Sequence, residues 1–170
     1  MQAHQRGNQA LISDVVHGVG VACNVLELYA GSGNLTLPLA RANSERDITA
    51  LEYDIHAVNA LNEVARTLTP DHIPKIKALA QSIDQLPEGD FDHIILDPPR
   101  AGAAPVIEAI AQHSTTKITY ISCHPAALAR DLKSLATHGW VVEKARIFHL
   151  FPHSGHAEVY CLLSRRRSDS

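Results

Sequence analysis

The sequence has little of what marks several protein classes. It contains only three cysteines, Cys23, Cys123 and Cys161, and no CxxC pair, so neither a disulfide framework nor a zinc ribbon is expected. No apolar run approaches the ~20 residues that a bilayer-spanning helix needs. The polar start of the chain, from Met1 to Arg6, is unlike a signal peptide. We therefore expect a cytoplasmic protein that does not contact a membrane.

An excess of basic residues is also absent. Fifteen Lys and Arg stand against 18 Asp and Glu, which gives a formal net charge of -3, and eleven histidines can add positive charge when they are protonated. A protein that binds nucleic acid by itself usually carries a basic face, because phosphate contacts supply most of its affinity. The charge balance argues against tight nucleic-acid binding by this chain alone.

What is present is the composition of an ordinary globular domain. The 170 residues are 45% hydrophobic and 19% charged, which excludes disordered and fibrous classes. A chain of this length fits one domain. We assign residues 1–165 to that domain and residues 166–170 to a basic and polar tail.

Apolar, β-branched segments alternate with helical patterns from residue 24 onwards. The predicted strands are 24–29, 48–52, 76–79, 91–96, 117–122, 140–148 and 157–163, and the predicted helices are 34–42, 55–68, 105–112 and 125–137. Such alternation predicts a parallel sheet with helices on both faces. The last two strands follow one another without a helical crossover, so the final strand should run antiparallel. We expect an α/β, doubly wound, mostly parallel seven-stranded sheet with an antiparallel last strand.

The first strand ends in a glycine-containing turn, Tyr29-Ala30-Gly31-Ser32-Gly33. A plain strand-to-helix turn could also carry these glycines. Thr36 stands where the dinucleotide fingerprint has its third glycine, which favours a smaller nucleoside cofactor over a dinucleotide. Glu52 ends the second strand about 20 residues on, the usual place for a carboxylate that accepts ribose hydroxyls. Glu52 in this register favours the cofactor interpretation.

The segment that follows the fourth predicted strand reads Asp97-Pro98-Pro99. Paired prolines fix an extended turn that offers no backbone donors. This turn would hold the Asp97 carboxylate rigidly at the edge of the sheet.

Two further candidates flank the last strands. Cys123 falls between the fifth strand and a helix N-terminus, a setting that lowers a thiol pKa towards the reactive thiolate. We interpret Cys123 as a nucleophile, and Cys161 and Cys23 as small apolar residues. Glu158 enters the last strand and is a candidate base, although a surface charge is the simpler alternative. The nearby histidines, such as His153, lack a second ligand set, so no metal site is predicted.

These residues resemble known methyltransferases. Glu27, Gly31, Gly33 and Glu52, with a reversed last strand, resemble the class I S-adenosylmethionine-dependent methyltransferases, which have a Rossmann-like fold. The motifs DPPRAGA at Asp97, SCHPAALARD at Ser122 and FPHSGHAE at Phe151 resemble the catalytic domain of the RNA (uracil-5-)-methyltransferase family. The opening residues 2–9 are similar to the QxN segment of that family.

The resemblance implies S-adenosyl-L-methionine as cofactor and an RNA substrate that is methylated at C5 of uridine. It also implies catalytic roles for three residues: Cys123 as the nucleophile that adds to C6, Glu158 as the base, and Asp97 as the group that orients the uracil. The implied cofactor-binding residues are Gln2, Tyr29, Gly31, Gly33, Glu52 and Asp97.

Several positions depart from the family pattern. His124 replaces an asparagine, Ala127 a threonine and His4 the asparagine of QxN, while Ser82 stands where an acid or amide would contact adenine. The RNA-binding and middle domains that precede the family's catalytic domain have no counterpart in this sequence. Three alternatives follow: a stand-alone short homologue, a piece of a longer protein, or a subunit that uses a separate RNA-binding partner.

Two other functions stay open at this point. An amino-group methyltransferase would use the Asp97 turn to accept hydrogen bonds from an exocyclic amine, and it would need neither Cys123 nor Glu158. A module that binds S-adenosylmethionine without turnover is the third possibility. Replacing Cys123 with alanine would stop only the uracil reaction.

Overall fold

The fold is a seven-stranded sheet, and the computed structural model describes residues 2–67, 75–149 and 157–166. The elements are α1 (Gln2–Val19), β1 (Asn24–Leu28), α2 (Thr36–Ala42), β2 (Asp47–Glu52), α3 (Ile55–Thr67), β3 (Ile76–Ala80), β4 (His93–Leu96), α4 (Ala104–Gln112), β5 (Lys117–Ser122), α5 (Pro125–Thr137), β6 (Trp140–Phe148) and β7 (Glu158–Arg165). The predicted elements lie within two residues of these bounds. Of the predicted tail, only Arg166 lies inside the described residues.

The strand order is β3-β2-β1-β4-β5-β7-β6. The pairs among β1 to β5 are parallel, and β7 is antiparallel to both β5 and β6. The predicted mostly parallel sheet with a reversed last strand is therefore confirmed. The chain runs outwards from β1 in one direction and from β4 in the other. The switch point, at which such sheets bind ligands, therefore lies at the carboxyl ends of β1 and β4.

The two faces of the sheet are covered by different helices. Because successive strand residues point to opposite faces, Ile94 and Leu96 of β4 pack with α4 and α5, whereas Ile95 packs with α1 and α2. All three side chains are fully buried. This double coverage accounts for the nearly continuous apolar character of the central strands.

Helix α1 is an element that the sequence analysis did not assign. Its buried side chains are spaced one turn apart and pack on the sheet: Leu11, Val15 and Val19. Asp14 in the same helix accepts hydrogen bonds from Lys144 Nζ at 3.1 Å and Arg146 Nη1 at 2.6 Å, both on β6. These contacts join residues more than 100 positions apart, which is why local sequence patterns do not reveal the helix.

The length and apolar character of the helices bear on whether any of them could span a bilayer. None of those within residues 2–67, 75–149 and 157–166 combines the length and the apolar character needed to cross a membrane.

Candidate functional site

The turn after β1 has an unusual backbone. Tyr29 has φ +64°, in the left-handed region that a bulky residue rarely adopts. The strand therefore ends at Leu28, one residue earlier than predicted. Gly31 (φ +54°) has open space where a side chain would begin, whereas a Cβ on Gly33 (φ +95°) would lie 2.5 Å from Leu61 Cδ1. Gly31 thus leaves the loop open to a ligand, and Gly33 permits its packing against α3.

Glu52 is tied to this loop by its carboxylate. Its Oε2 accepts a hydrogen bond from the Gly31 amide at 2.8 Å, and its Oε1 accepts from the amides of Tyr53 at 2.7 Å and Asp54 at 3.0 Å. A carboxylate has about four lone-pair sites, so it keeps acceptor capacity for a ligand. The predicted cofactor carboxylate is fixed at the mouth of the loop.

A cavity of about 790 Å³ lies beside the loop. Its lining contains three of the predicted site residues, Tyr29, Glu52 and Asp97. The other lining residues are Tyr53, Ile83, Pro99, Ala101, Gly102, Ala104 and Pro105. A mostly apolar cavity of this size with a few convergent polar groups is typical of small-molecule and cofactor sites.

Sequence reasoning assigned neither Tyr53 nor Ile83 to the cavity lining. Tyr53 is 79% exposed, and Ile83 is 8% exposed. The signal for Tyr53 was its position directly after Glu52. Ser82, expected in the adenine subsite, is exposed, and its neighbour Ile83 lines the cavity instead. This part of the cavity is apolar where an acid or amide was anticipated.

Two carboxyl groups lie at the switch point. Glu27 is 1% exposed and accepts a hydrogen bond from Thr36 Oγ1 at 2.7 Å. Burial, with a smaller contribution from Asp97, raises the pKa of Glu27 to about 8. Asp97 is open to the cavity yet surrounded by protein, and this partial desolvation, reinforced by the charge of Glu158, raises its pKa to about 7. Burial and the neighbouring negative charge disfavour the ionised form, so both acids keep their proton up to a higher pH than an ordinary carboxyl group does.

The three predicted catalytic residues meet at one edge of the sheet. Leu96 pairs with Tyr120 across β4 and β5, so Asp97 and Cys123 both follow these strands at their carboxyl ends. Ser122 pairs with Val159 at the end of the antiparallel β5–β7 ladder, so Cys123 follows this last pair on β5 and Glu158 precedes it on β7. Among the described residues, the cavity lining includes neither Cys123 nor Glu158. In the strand order, these two residues lie beyond Asp97, on the side away from the loop that contains Gly31 and Gly33, the glycine loop.

Cys123 sits directly before α5. It is a half-buried free thiol. His124 is the N-cap of α5, and its Nδ1 accepts a hydrogen bond from the Ala127 amide at 3.2 Å. Ser122 Oγ accepts from the His124 amide at 3.1 Å. The histidine at position 124 thus performs the capping task for which asparagine is also suited, and the thiol lies at the positive end of the helix dipole.

Parts of two predicted motifs lie outside the described residues. These are the side chains of Gln2 and His4, and residues 151–156 of the motif that ends at Glu158. Nearer the site, the Asn8 and Asn34 amides exchange hydrogen bonds at 3.0 and 3.2 Å. This pair holds α1 beside the glycine loop.

Comparison with models of protein families gives a match to tRNA (uracil-5-)-methyltransferase over residues 76–166, just over half of the chain. The chain belongs to this family. A model of the methyltransferase small domain also matches, over residues 3–119. The first of these matches contains Asp97, Cys123 and Glu158, and the second contains the glycine loop and Glu52.

Curated relatives of this uracil-5-methyltransferase family member are longer than the chain. The 23S rRNA (uracil(1939)-C(5))-methyltransferase RlmD of Haemophilus influenzae is 34% identical over 149 residues, which cover 84% of this chain and 33% of that protein. RlmD of Salmonella typhi is 33% identical over 172 residues, which cover 97% of this chain and 39% of that protein. The chain thus spans about a third to two-fifths of the length of these relatives.

A solved structure shares the fold. Magnesium protoporphyrin IX methyltransferase (ChlM) from Synechocystis PCC 6803, with bound SAH, superposes with a TM-score of 0.76 at 14% identity and covers 96% of this chain and 86% of its own. The likeness confirms the Rossmann-like architecture that the sequence predicted.

Proposed function

We propose that this chain is the catalytic part of an RNA methyltransferase that transfers a methyl group from S-adenosylmethionine to C5 of uridine. The observation that carries the proposal is that Asp97 and Cys123 follow the neighbouring strands β4 and β5 at their carboxyl ends, while Glu158 begins β7, which is antiparallel to β5. Family membership supports the same reaction.

The cavity suits S-adenosylmethionine, which when bound supplies an electrophilic methyl group on a sulfonium. Glu52 keeps about one of its four lone-pair sites for a ribose hydroxyl, and Gly31 allows close approach of the backbone. Tyr53 and Ile83 offer aromatic and aliphatic surface to an adenine ring. Asp97 lines the same cavity, and its ionised form would attract the positively charged sulfonium. These residues fit the cofactor, and we assign Tyr29, Gly33 and Gln2 to the same site.

C5 of uracil is too weak a nucleophile to attack the methyl group directly. The reaction therefore needs a protein nucleophile that first activates the uracil ring. The Cys123 thiolate would add to C6, which turns C5 into an enolate carbon. C5 would then take the methyl group as its bond to the sulfonium sulfur breaks, and that sulfur would leave as a neutral thioether. Glu158 then removes the C5 proton, and elimination breaks the bond between Cys123 and C6. Asp97, with its pKa raised to about 7, can donate or accept a hydrogen bond at the uracil edge near neutral pH.

The substrate must present its uridine to the sheet edge. A base in folded RNA has to be splayed out of its stack to reach such a site. The net charge of -3 offers little general attraction to phosphates. We therefore propose that a separate RNA-binding partner assists, and that the protein acts in the cytoplasm, where Cys123 stays reduced.

The test is methyl transfer to RNA from S-adenosylmethionine that carries a labelled methyl group, with nucleoside digests analysed by mass spectrometry. We expect 5-methyluridine with the wild type and with Cys23→Ser, a control at an exposed free thiol. Cys123→Ser should lose activity by at least about 1,000-fold. A methylated amino group that survives Cys123→Ser would identify an amino-group methyltransferase. Cofactor binding without transfer to ribosomal or transfer RNA would identify a binding module.

A further inference from the structure

A buried acid on α5 binds the loop that follows Asp97. Asp131 is 2% exposed, and its Oδ2 accepts a hydrogen bond from the Ala103 amide at 2.8 Å and from the Tyr120 hydroxyl at 2.6 Å. Ala103 is the N-cap of α4, and its own side chain provides no cap. Asp131 therefore places a carboxylate at a helix N-terminus that would otherwise lack one.

The adjacent arginine holds the other side of the same turn. Arg130 Nη2 donates to the Ala101 carbonyl at 2.9 Å, and Nε donates to Asp131 Oδ1 at 2.8 Å. Gly102 lies between the two captured peptide groups with φ +82°, and a Cβ there would be 2.6 Å from both Arg130 Nη2 and Asp131 Oδ2. Glycine is thus required for the turn to approach α5.

The same helix begins two residues after Cys123. Asp97 and Cys123 belong to different loops, and the β4–β5 ladder ends with the pair Leu96–Tyr120, before either residue. The contacts of Arg130 and Asp131 supply a connection between the two loops. We propose that Arg130 and Asp131 are positioning residues that fix Asp97 relative to Cys123, an inference that rests on the proposed function.

The positioning role has a measurable size. A displacement of about 1 Å between reacting groups can cost a factor of roughly 100 in rate. A purely structural role would instead lower the melting temperature and leave turnover unchanged at temperatures well below it. Separate measurements of kcat, KM and the alkylation rate of the Cys123 thiol distinguish these two cases.

The experiment uses Asp131→Asn, Tyr120→Phe and Arg130→Met, with Lys133→Met as the control that removes an exposed cation from the same helix. We expect Asp131→Asn to lower kcat about 10- to 100-fold, with a change in KM for RNA of less than about threefold. Alkylation of Cys123 by iodoacetamide, followed by peptide mass spectrometry, should keep its wild-type rate. Tyr120→Phe, which removes one of the two partners of Oδ2, should have a smaller effect on kcat. Arg130→Lys should recover part of the kcat that Arg130→Met loses.

Each outcome supports or overturns the inference. If the wild type methylates uridine and Asp131→Asn turns over as fast as Lys133→Met, the inference is overturned and the proposed function stands. If Asp131→Asn alters Cys123 alkylation and the melting temperature together with kcat, the role is structural and the positioning inference is again overturned. If the wild type is inactive on ribosomal and transfer RNA at concentrations that saturate the chain, the proposed function fails and the inference fails with it.

Discussion

The protonation of single residues at the switch point follows from their surroundings. Glu27 is sealed beneath the glycine loop with one hydroxyl donor, and its pKa is raised to about 8. Asp97 faces the cavity and has a pKa raised to about 7. Each acid holds a proton in the folded state over a pH range in which the unfolded chain has released it. Both acids therefore make stability depend on pH near neutrality.

Glu27→Gln should flatten that dependence. The unfolded glutamate releases its proton near 4.5 and the folded one near 8, so wild-type stability is fully present below the lower value and is lost as the pH rises through the upper one. The slope from this one group is at most about 1.4 kcal/mol per pH unit. Urea denaturation of both proteins at about pH 5, 6.5 and 8 measures the difference. Parallel curves for the two proteins would show that Glu27 keeps an ordinary pKa.

Glu52→Gln should weaken the binding of S-adenosylmethionine. The amide nitrogen that replaces one carboxylate oxygen cannot accept the bonds made there, and hydrogen bonds to charged groups contribute about 1.5–3 kcal/mol. Isothermal titration calorimetry should show an affinity loss of roughly 10- to 150-fold. Glu45→Gln, in the exposed turn before the other end of β2, is the control. Equal affinities for the two variants would exclude Glu52 from the cofactor site.

Sequence reasoning worked at this scale where a residue directly follows or enters a strand. Asp97, Cys123 and Glu158 could be assigned to one edge because strand direction fixes which ends meet. Asp131 could not be assigned a role, because its contact with Ala103 spans 28 residues and depends on which face α5 turns to the sheet.

At the scale of elements, the turn from β1 to α2 depends on two glycines in different ways. Gly33→Ala should destabilise the fold by roughly 1–3 kcal/mol, since its Cβ meets Leu61 of α3. Gly31→Ala has open space and should cost only about 1–2 kcal/mol for the left-handed backbone, yet its methyl group would face the ligand. Thermal melts paired with calorimetry should show Gly31→Ala losing more cofactor affinity than stability. A Gly31→Ala variant with wild-type affinity would place the cofactor elsewhere.

The start of α5 gives a second test at this scale. His124→Ala removes the side chain that accepts from the Ala127 amide, which should cost about 1 kcal/mol. His124→Asn should restore the lost stability, because asparagine is among the preferred N-cap residues. Chemical denaturation of the wild type, His124→Ala and His124→Asn measures their free energies of unfolding and checks the expected order of stability. If His124→Ala is as stable as the wild type, the cap does not stabilise the helix.

The helices and strands after residue 24 were predictable because each carries its own periodic apolar pattern and its own turn residues. Helix α1 was not predictable, since its first half is polar and its apolar residues gain their meaning only from packing on the sheet. The Asp14 contacts with β6 show the same dependence on tertiary structure.

At the scale of the whole chain, the proposed function places a cofactor site and a nucleophile along one edge of the sheet. The chain carries a net charge of -3 and spans 33% to 39% of the two relatives described above. We expect the binding of RNA by the chain alone to be weak and to fall further as salt rises. Fluorescence anisotropy with labelled RNA at about 50 and 200 mM salt measures this. Tight, salt-insensitive binding would show that the chain needs no partner.

The most direct test of the central claim is denaturing gel electrophoresis of the protein after incubation with 5-fluorouridine-containing RNA and S-adenosylmethionine. Fluorine at C5 cannot leave as a proton, so the reaction should stop while the thiol is bonded to C6. We predict a slowly migrating protein–RNA band with the wild type and with Cys23→Ser, and its loss in Cys123→Ala. A band that persists in Cys123→Ala, or no wild-type band with ribosomal and transfer RNA while the cofactor is bound, would contradict the assignment of Cys123 as the nucleophile of a uracil C5 reaction.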